Sequence, residues 1–287
     1  YGRGTCDMKG FLACVLASVP RFKSVPLTKP IHILISYDEE VGCVGVRPMI
    51  ARFGQDLPRP RAVIVGEPSG MQVIDGHKCI DVFRTTVTGK EAHSSMPAIG
   101  VNAISAASGL VEEIDRIAAE VAGAENDPHF DPPYSTVMVA MVNGGTAPNI
   151  VPRNCGILWQ LRGLPGTKAK DVPARLAAFA EEKLLPGMRA IAPDASVDTK
   201  TETAVPAFSA GPDSDAVSLA LSLTGANRSW GVSYATEAGL FQDAGCPAVV
   251  CGPGDIEQAH TADEFVAISQ IESCLEFLAK LTERMRS

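Results

Sequence analysis

The sequence predicts an α/β fold, built as a mostly parallel-sheet layer that is discontinuous in the chain and interrupted by an inserted ferredoxin-like α+β domain. Three observations predict it. Short β-rich runs alternate with helical patterns at the start, a β-α-β-β-α-β order follows, and the first pattern returns after about Val205. The expected domains are 1–75 with 205–287, and 76–204 between them.

Each element has its own signal. Met8 to Val19 is apolar on most sides and reads as a buried helix. Ile31 to Tyr37 is short and β-rich, a central strand; Pro48 to Phe53 reads as helical, and Ala62 to Val65 as a second buried strand ending at Gly66. The pattern then changes. Asp81 to Thr88 alternates like a half-buried strand. Ile104, Leu110, Val111, Ile114, Ile117 and Val121 fall at helical spacing. Ser135 to Val142 and Gly156 to Leu161 read as strands joined through Asn143-Gly144-Gly145, Ala169 to Leu184 as a helix, and Ala195 to Thr201 as an alternating strand. Beyond them come a helix at Asp215 to Leu223, a buried strand at Ala248 to Cys251, and a closing amphipathic helix marked by Ile268, Ile271, Leu275 and Leu278.

Composition narrows the function classes. Of 287 residues, 46% are hydrophobic and 20% charged, an ordinary globular balance with ample material for a core. The net charge of -8 and the lack of any basic block argue against a nucleic-acid partner. The longest apolar runs are far too short to span a bilayer. Eight cysteines form no CxxC pair and sit among apolar neighbours, which reads as reduced, buried thiols and a cytoplasmic protein.

Four segments carry potential chemistry: Tyr1-Gly-Arg-Gly-Thr-Cys-Asp7-Met-Lys-Gly10, Ser36-Tyr-Asp-Glu39-Glu40-Val-Gly42, Val65-Gly-Glu67-Pro68 and Gly252-Pro-Gly-Asp-Ile-Glu-Gln-Ala-His260. Each acid lies near the end of a predicted strand or the start of a helix, the edge where open α/β sheets bind ligands. Carboxylates and one imidazole converging there suit zinc, or manganese or cobalt. Each also has a plainer reading. Asp7 fits a helix N-cap, Glu39-Glu40 a solvated pair, Glu67 a turn residue and His260 a surface histidine.

Over essentially its whole length the chain resembles the family of acetylornithine deacetylases, succinyl-diaminopimelate desuccinylases and related two-zinc aminoacylases and peptidases. The resemblance implies a zinc-hydrolase catalytic layer, an inserted dimerisation domain, a homodimer and a small N-acyl amino acid substrate. It implies that Asp7 bridges two zinc ions, Glu39 is the general base, Glu40 and His260 bind one zinc and Glu67 the other. His93, in Gly89-Lys-Glu-Ala-His93-Ser-Ser95, reaches the partner subunit's active site and stabilises the oxyanion; its plainer reading is a loop histidine. Asn149 and Arg162 bind the substrate carboxylate, with Arg153 a nearby competitor, since an arginine fork matches a carboxylate. Ser233-Tyr-Ala-Thr-Glu237-Ala resembles the deacetylase branch, so Glu237 either meets the cationic amine of ornithine or is a loop acid.

The implied reaction is hydrolysis of N2-acetyl-ornithine to ornithine and acetate, in arginine biosynthesis. The rivals are desuccinylation, another hydrolysis within the family, or a catalytically dead dimerising or binding protein. The family places one more metal ligand upstream, in a His-x-Asp motif. Nothing in this sequence precedes Tyr1, and His32 lies inside a predicted strand, in the wrong place to replace that ligand. The expectation is therefore of two zinc ions in the intact protein, with an incomplete site, absent opening strands and no activity in the chain as it stands.

Overall fold

In a computed structural model describing residues 1–286, Gly10–Ser24 form helix α1. It buries Cys14, Val15, Ser18 and Phe22 at helical spacing and leaves Leu16 57% exposed, so one face rather than most of its surface is covered. Val25 stops it by adopting an extended conformation ahead of Pro26, as a residue before proline prefers. The segment from Ile31 to Tyr37, expected as a central strand, joins no ladder among the described residues. Ile35 and Tyr37 are 59% and 66% exposed. β-rich composition makes a strand only where a neighbouring backbone supplies hydrogen bonds, and here none does. Glu39 and Glu40 consequently sit in a turn, closed by the N–H groups of Gly42 and Cys43 donating to the Glu39 carbonyl, and not at a strand end. Helix α2, Arg47–Ile50, is shorter than expected. Strands β1, Val63–Val65, and β2, Ile74–His77, follow.

The chain then builds a separate unit, Lys78–Ala207. Its elements are β3 (Ile80–Thr88), α3 (Ala103–Ala124), β4 (Thr136–Gly144), β5 (Asn154–Arg162), α4 (Val172–Phe179), α5 (Leu185–Ile191) and β6 (Ser196–Val205). The strands lie in the order β4-β5-β3-β6, every pair antiparallel, which is ferredoxin-like topology. Asn102 starts α3, its side chain accepting the N–H groups of Ile104 and Ser105. Leu110, Ile114, Ile117 and Val121 then face the sheet, meeting Cys155, Ile157, Trp159 and Leu161 from the alternating inner side of β5. Burying each such large side chain contributes about 1.5–3 kcal/mol. Trp159 stacks on Phe83 and donates to the Thr85 hydroxyl at 2.9 Å, so its one polar atom is satisfied. The helix expected to end at Leu184 continues through a wider turn, Ala180–Leu184, into α5, because Pro186 falls in the first turn of α5, where its missing N–H costs little.

The first unit, Tyr1–His77 and Phe208–Ser287, resumes with β7 (Phe208–Ser209), α6 (Asp215–Thr224), β8 (Trp230–Val232), α7 (Ala238–Asp243), β9 (Ala248–Val250) and α8 (Ile268–Arg286). Its sheet runs β1-β9-β2-β7, with β8 also pairing β2. The β1–β9 and β2–β8 pairs are parallel; the β2–β7 and β2–β9 pairs are antiparallel. Helices α1 and α8 pack through Cys14, Val15 and Phe22 against Cys274, Phe277, Leu278 and Leu281. Among the described residues no helix is long and apolar enough to cross a membrane.

Candidate metal centre

The paired ends of β1 and β9 set up the site. Val65 lies opposite Val250, and just beyond them Gly66 and Gly252 touch back to back. A Cβ on Gly252 would overlap the Gly66 carbonyl oxygen, so only glycine lets the two chains leave the sheet side by side. One chain carries Glu67 and the other leads to His260. Asp7 arrives from the loop ahead of α1, and Glu40 from the turn after the unpaired segment.

These residues converge. His260 Nε2 lies 3.1 Å from Asp7 Oδ2 and 2.9 Å from Glu40 Oε2. Ligand atoms of Asp7, Glu40 and His260 all fall within 4.8 Å of one another. The Asp7 carboxyl is also hydrogen-bonded to that of Glu67, which is 5% exposed. Asp7 therefore meets both the Glu40–His260 pair and Glu67. His260 holds its position at φ 57, in the left-handed region, and Asp38 and Cys43 flank the Glu39-Glu40 pair at φ 53 each. Non-glycine residues there cost about 1–3 kcal/mol and cluster at functional sites.

Electrostatics point the same way. Burial pushes Asp7 above the usual carboxylate range and Glu40 adds to it, while His260 opposes. Glu67 is raised well above its ordinary value by burial, then by Asp7 and Glu39. Burial lifts Glu39 to about 7, against a hydrogen bond from the Cys43 thiol at 3.4 Å and with the help of Asp7 and Glu40. Glu237, at the head of α7, is raised by burial against a hydrogen bond with Ser36; its Oε1 is buried without a partner. Burial first, and neighbouring carboxylates second, disfavour the charged forms of Asp7, Glu39 and Glu67, a penalty that a bound cation relieves. Three hard oxygen and borderline nitrogen donors within reach of one ion fit a divalent metal.

The residues of the second unit form their own group. His93 and Ile150 make an isolated backbone bridge, and the Ser94 N–H donates to the Asn149 carbonyl at 3.0 Å, so His93 and Asn149 are neighbours. His93 Nδ1 lies 2.8 Å from the Ser95 hydroxyl oxygen and accepts the Ser95 N–H at 3.2 Å. An open concavity of 530 Å³ beside them is lined by Ser94, Ile104, Thr146 and Ile150 among others. Arg162 ends β5, half-buried and paired in register with Thr136. Arg153 is exposed, with its carbonyl accepting from Gly89.

Sequence reasoning missed several neighbours of the centre. Arg3 donates to Glu40 Oε1 at 2.7 Å, Tyr234 donates to the Pro68 carbonyl at 2.9 Å, and Glu264 receives the backbone of the Asp7 loop. The one available signal was proximity in sequence, since Arg3, Tyr234 and Glu264 lie close to Asp7, Glu237 and His260.

The α/β layer gathers Asp7, Glu40, Glu67 and His260 from loops around the paired ends of β1 and β9, a donor set of the kind that holds a divalent metal. The chain belongs to peptidase family M20/M25/M40, whose model matches residues 1–284. It is 34% identical over 284 residues to an acetylornithine deacetylase of Aliivibrio salmonicida, covering 98% of this chain and 72% of the relative. It is 31% identical over 286 residues to an acetylornithine deacetylase of Myxococcus xanthus, covering 98% and 71%. Among solved structures, aminopeptidase PepT of Bacillus cereus superposes with a TM-score of 0.73 at 20% identity, covering 97% of this chain and 71% of that one. The YXEP protein of Bacillus subtilis, a dinuclear metal binding peptidase from the M20 family, gives 0.64 at 13% identity, covering 96% and 70%.

Proposed function

We propose that this protein is a zinc-dependent amidohydrolase that cleaves N-acyl amino acids, with N2-acetyl-ornithine, converted to ornithine and acetate, as its substrate in arginine biosynthesis. The observation that carries the reading is the meeting of Asp7, Glu40 and His260, with Glu67 hydrogen-bonded to Asp7. Asp7, Glu40 and His260 hold one cation; Asp7 and Glu67 contribute to a second. Bound there, such cations polarise the scissile carbonyl and acidify the attacking water. Glu39 takes a proton from that water and delivers it to the leaving amine, a shuttle suited to a carboxyl whose pKa burial has moved to about 7. His93 donates to the developing oxyanion in the partner subunit. Asn149 and Arg162, or Arg153 in its place, bind the substrate carboxylate, and Glu237 takes the side-chain ammonium.

The substrate choice is supported by the acetylornithine deacetylases at 34% and 31% identity. A homodimer is supported by β4, an edge strand whose Met138, Met141 and Val142 are 49%, 54% and 48% exposed, beside Ile104 of α3 at 41%. Cytoplasmic residence fits eight free, buried cysteines. The test is a substrate panel on metal-loaded enzyme, with N2-acetyl-ornithine, N-succinyl-diaminopimelate and a tripeptide, alongside elemental analysis. Highest kcat/KM on N2-acetyl-ornithine with two zinc ions per subunit is expected. A preference for the succinyl substrate reassigns the branch; no metal-dependent hydrolysis of any of them sinks the reading.

A further inference from the structure

One buried carboxylate outside the ligand set holds the loop that carries Asp7 and, through Arg3, reaches Glu40. Glu264 lies four residues beyond His260 and is fully buried. Its Oε1 accepts the backbone N–H of Cys6 at 2.9 Å and of Asp7 at 3.0 Å, and its Oε2 accepts that of Gly4 at 2.8 Å. The Gly2 N–H donates to the Glu264 carbonyl at 2.8 Å. Arg3 places one guanidinium nitrogen 3.6 Å from Glu264 Oε2 and donates through another to Glu40 at 2.7 Å.

Burying a carboxylate is unfavourable unless its lone pairs are met, and here backbone donors from the loop that aims Asp7 meet them. The loop in turn has its N–H groups tied to a residue four positions after His260 in the chain. Arg3 extends the tie to Glu40. Its positive charge, standing beside a candidate ligand, would repel a cation were it not offset by Glu264.

We propose that Glu264 is a positioning residue, which presets Asp7, Glu40 and His260 for a divalent cation by holding the Gly4–Asp7 backbone and neutralising Arg3. This rests on the metal-binding reading above. Groups that orient first ligands in this way typically govern metal affinity by 10–100-fold.

The experiment is a competition titration with zinc alone against a chromophoric chelator, on the purified protein and on Glu264→Gln. Gln keeps the shape but removes the charge. One of its two polar atoms becomes an NH2 group, which cannot accept from the loop. Zinc affinity of the folded variant is expected to fall about 10–100-fold. Removing the uncompensated cation in the double variant Arg3→Ala, Glu264→Gln is expected to recover part of that loss, which a purely structural role would not do. A variant with a lower melting temperature in chelator but unchanged zinc affinity below it overturns the proposal, as does a double variant no tighter than Glu264→Gln. Should Glu264→Gln not fold, Glu264→Asp is read by the same titration, and unchanged affinity there overturns it equally. Zinc binding that His260→Ala leaves untouched overturns the metal reading itself, and this proposal with it.

Discussion

If the proposed roles hold, replacing Glu237 by Gln separates substrate recognition from chemistry, because the proposal assigns the two to different acids. Glu237 Oε1 is buried without a partner while the carboxyl's other bond goes to Ser36. A buried acceptor left unmet costs about 1–3 kcal/mol, and a charge-assisted hydrogen bond is worth about 1.5–3 kcal/mol. An ammonium arriving at Oε1 makes that bond; the two figures describe the same acceptor and are not added. At 1.4 kcal/mol per factor of ten, the interaction contributes about 10–100-fold to kcat/KM. Gln abolishes the charge and leaves the rest of the side chain in place. The assay compares N2-acetyl-ornithine with N-acetyl-norvaline, which has the same carbon chain without the amine. Glu237→Gln should lower kcat/KM on the first by about 10–100-fold and leave the second within about threefold. The variant should also melt higher at neutral pH in chelator, because a buried negative charge next to Glu39 and Glu67 has gone. An equal fall on both substrates would mean that Glu237 serves the chemistry or the fold, and no fall on either would leave it a loop acid.

Three more outcomes follow from the same geometry. Glu39→Gln should lower kcat by about 10²–10⁴-fold with zinc content near normal, since the role proposed for it is to move protons and not to ligate; zinc loss matching that of His260→Ala contradicts the assignment. In metal-free protein Glu39 has a folded pKa of about 7 against an ordinary 4.5, so the folded state binds the proton more tightly and stability falls as pH rises through that window. Glu39→Gln should flatten that fall in melting temperatures measured in chelator between about pH 5 and pH 8, and an unchanged slope would place the titration elsewhere. The double substitution Met138→Lys, Met141→Lys on the exposed face of β4 should convert a dimer to monomers in light scattering, with each monomer still folded by circular dichroism; a dimer that survives it uses another surface.

What the sequence exposed and what it hid divide along physical lines. In the second unit periodicity was enough: Leu110, Ile114, Ile117 and Val121 recur at helical spacing because one face of α3 lies on the sheet, and β5 alternates because its inner side meets that face. The short strands β2, β7 and β8 left no trace, since β7 has only two residues and the three or four of β8 and β2 are interrupted by Gly, too few to carry a period. Ile31 to Tyr37 erred the other way. Its composition favours a strand, but a strand is a property of two backbones, and only one is at hand. The centre follows a third logic. Asp7, Glu40 and His260 are weak signals singly, separated by up to 253 positions, and it was likeness to a family that selected them before the fold brought them within 4.8 Å. Glu264 had no such help. Its bonds go to backbone N–H groups of Gly4, Cys6 and Asp7, which nearly every residue type offers, so no pairing of side-chain types betrays it. A residue that shapes a site through the backbone is visible only once that backbone has been folded around it.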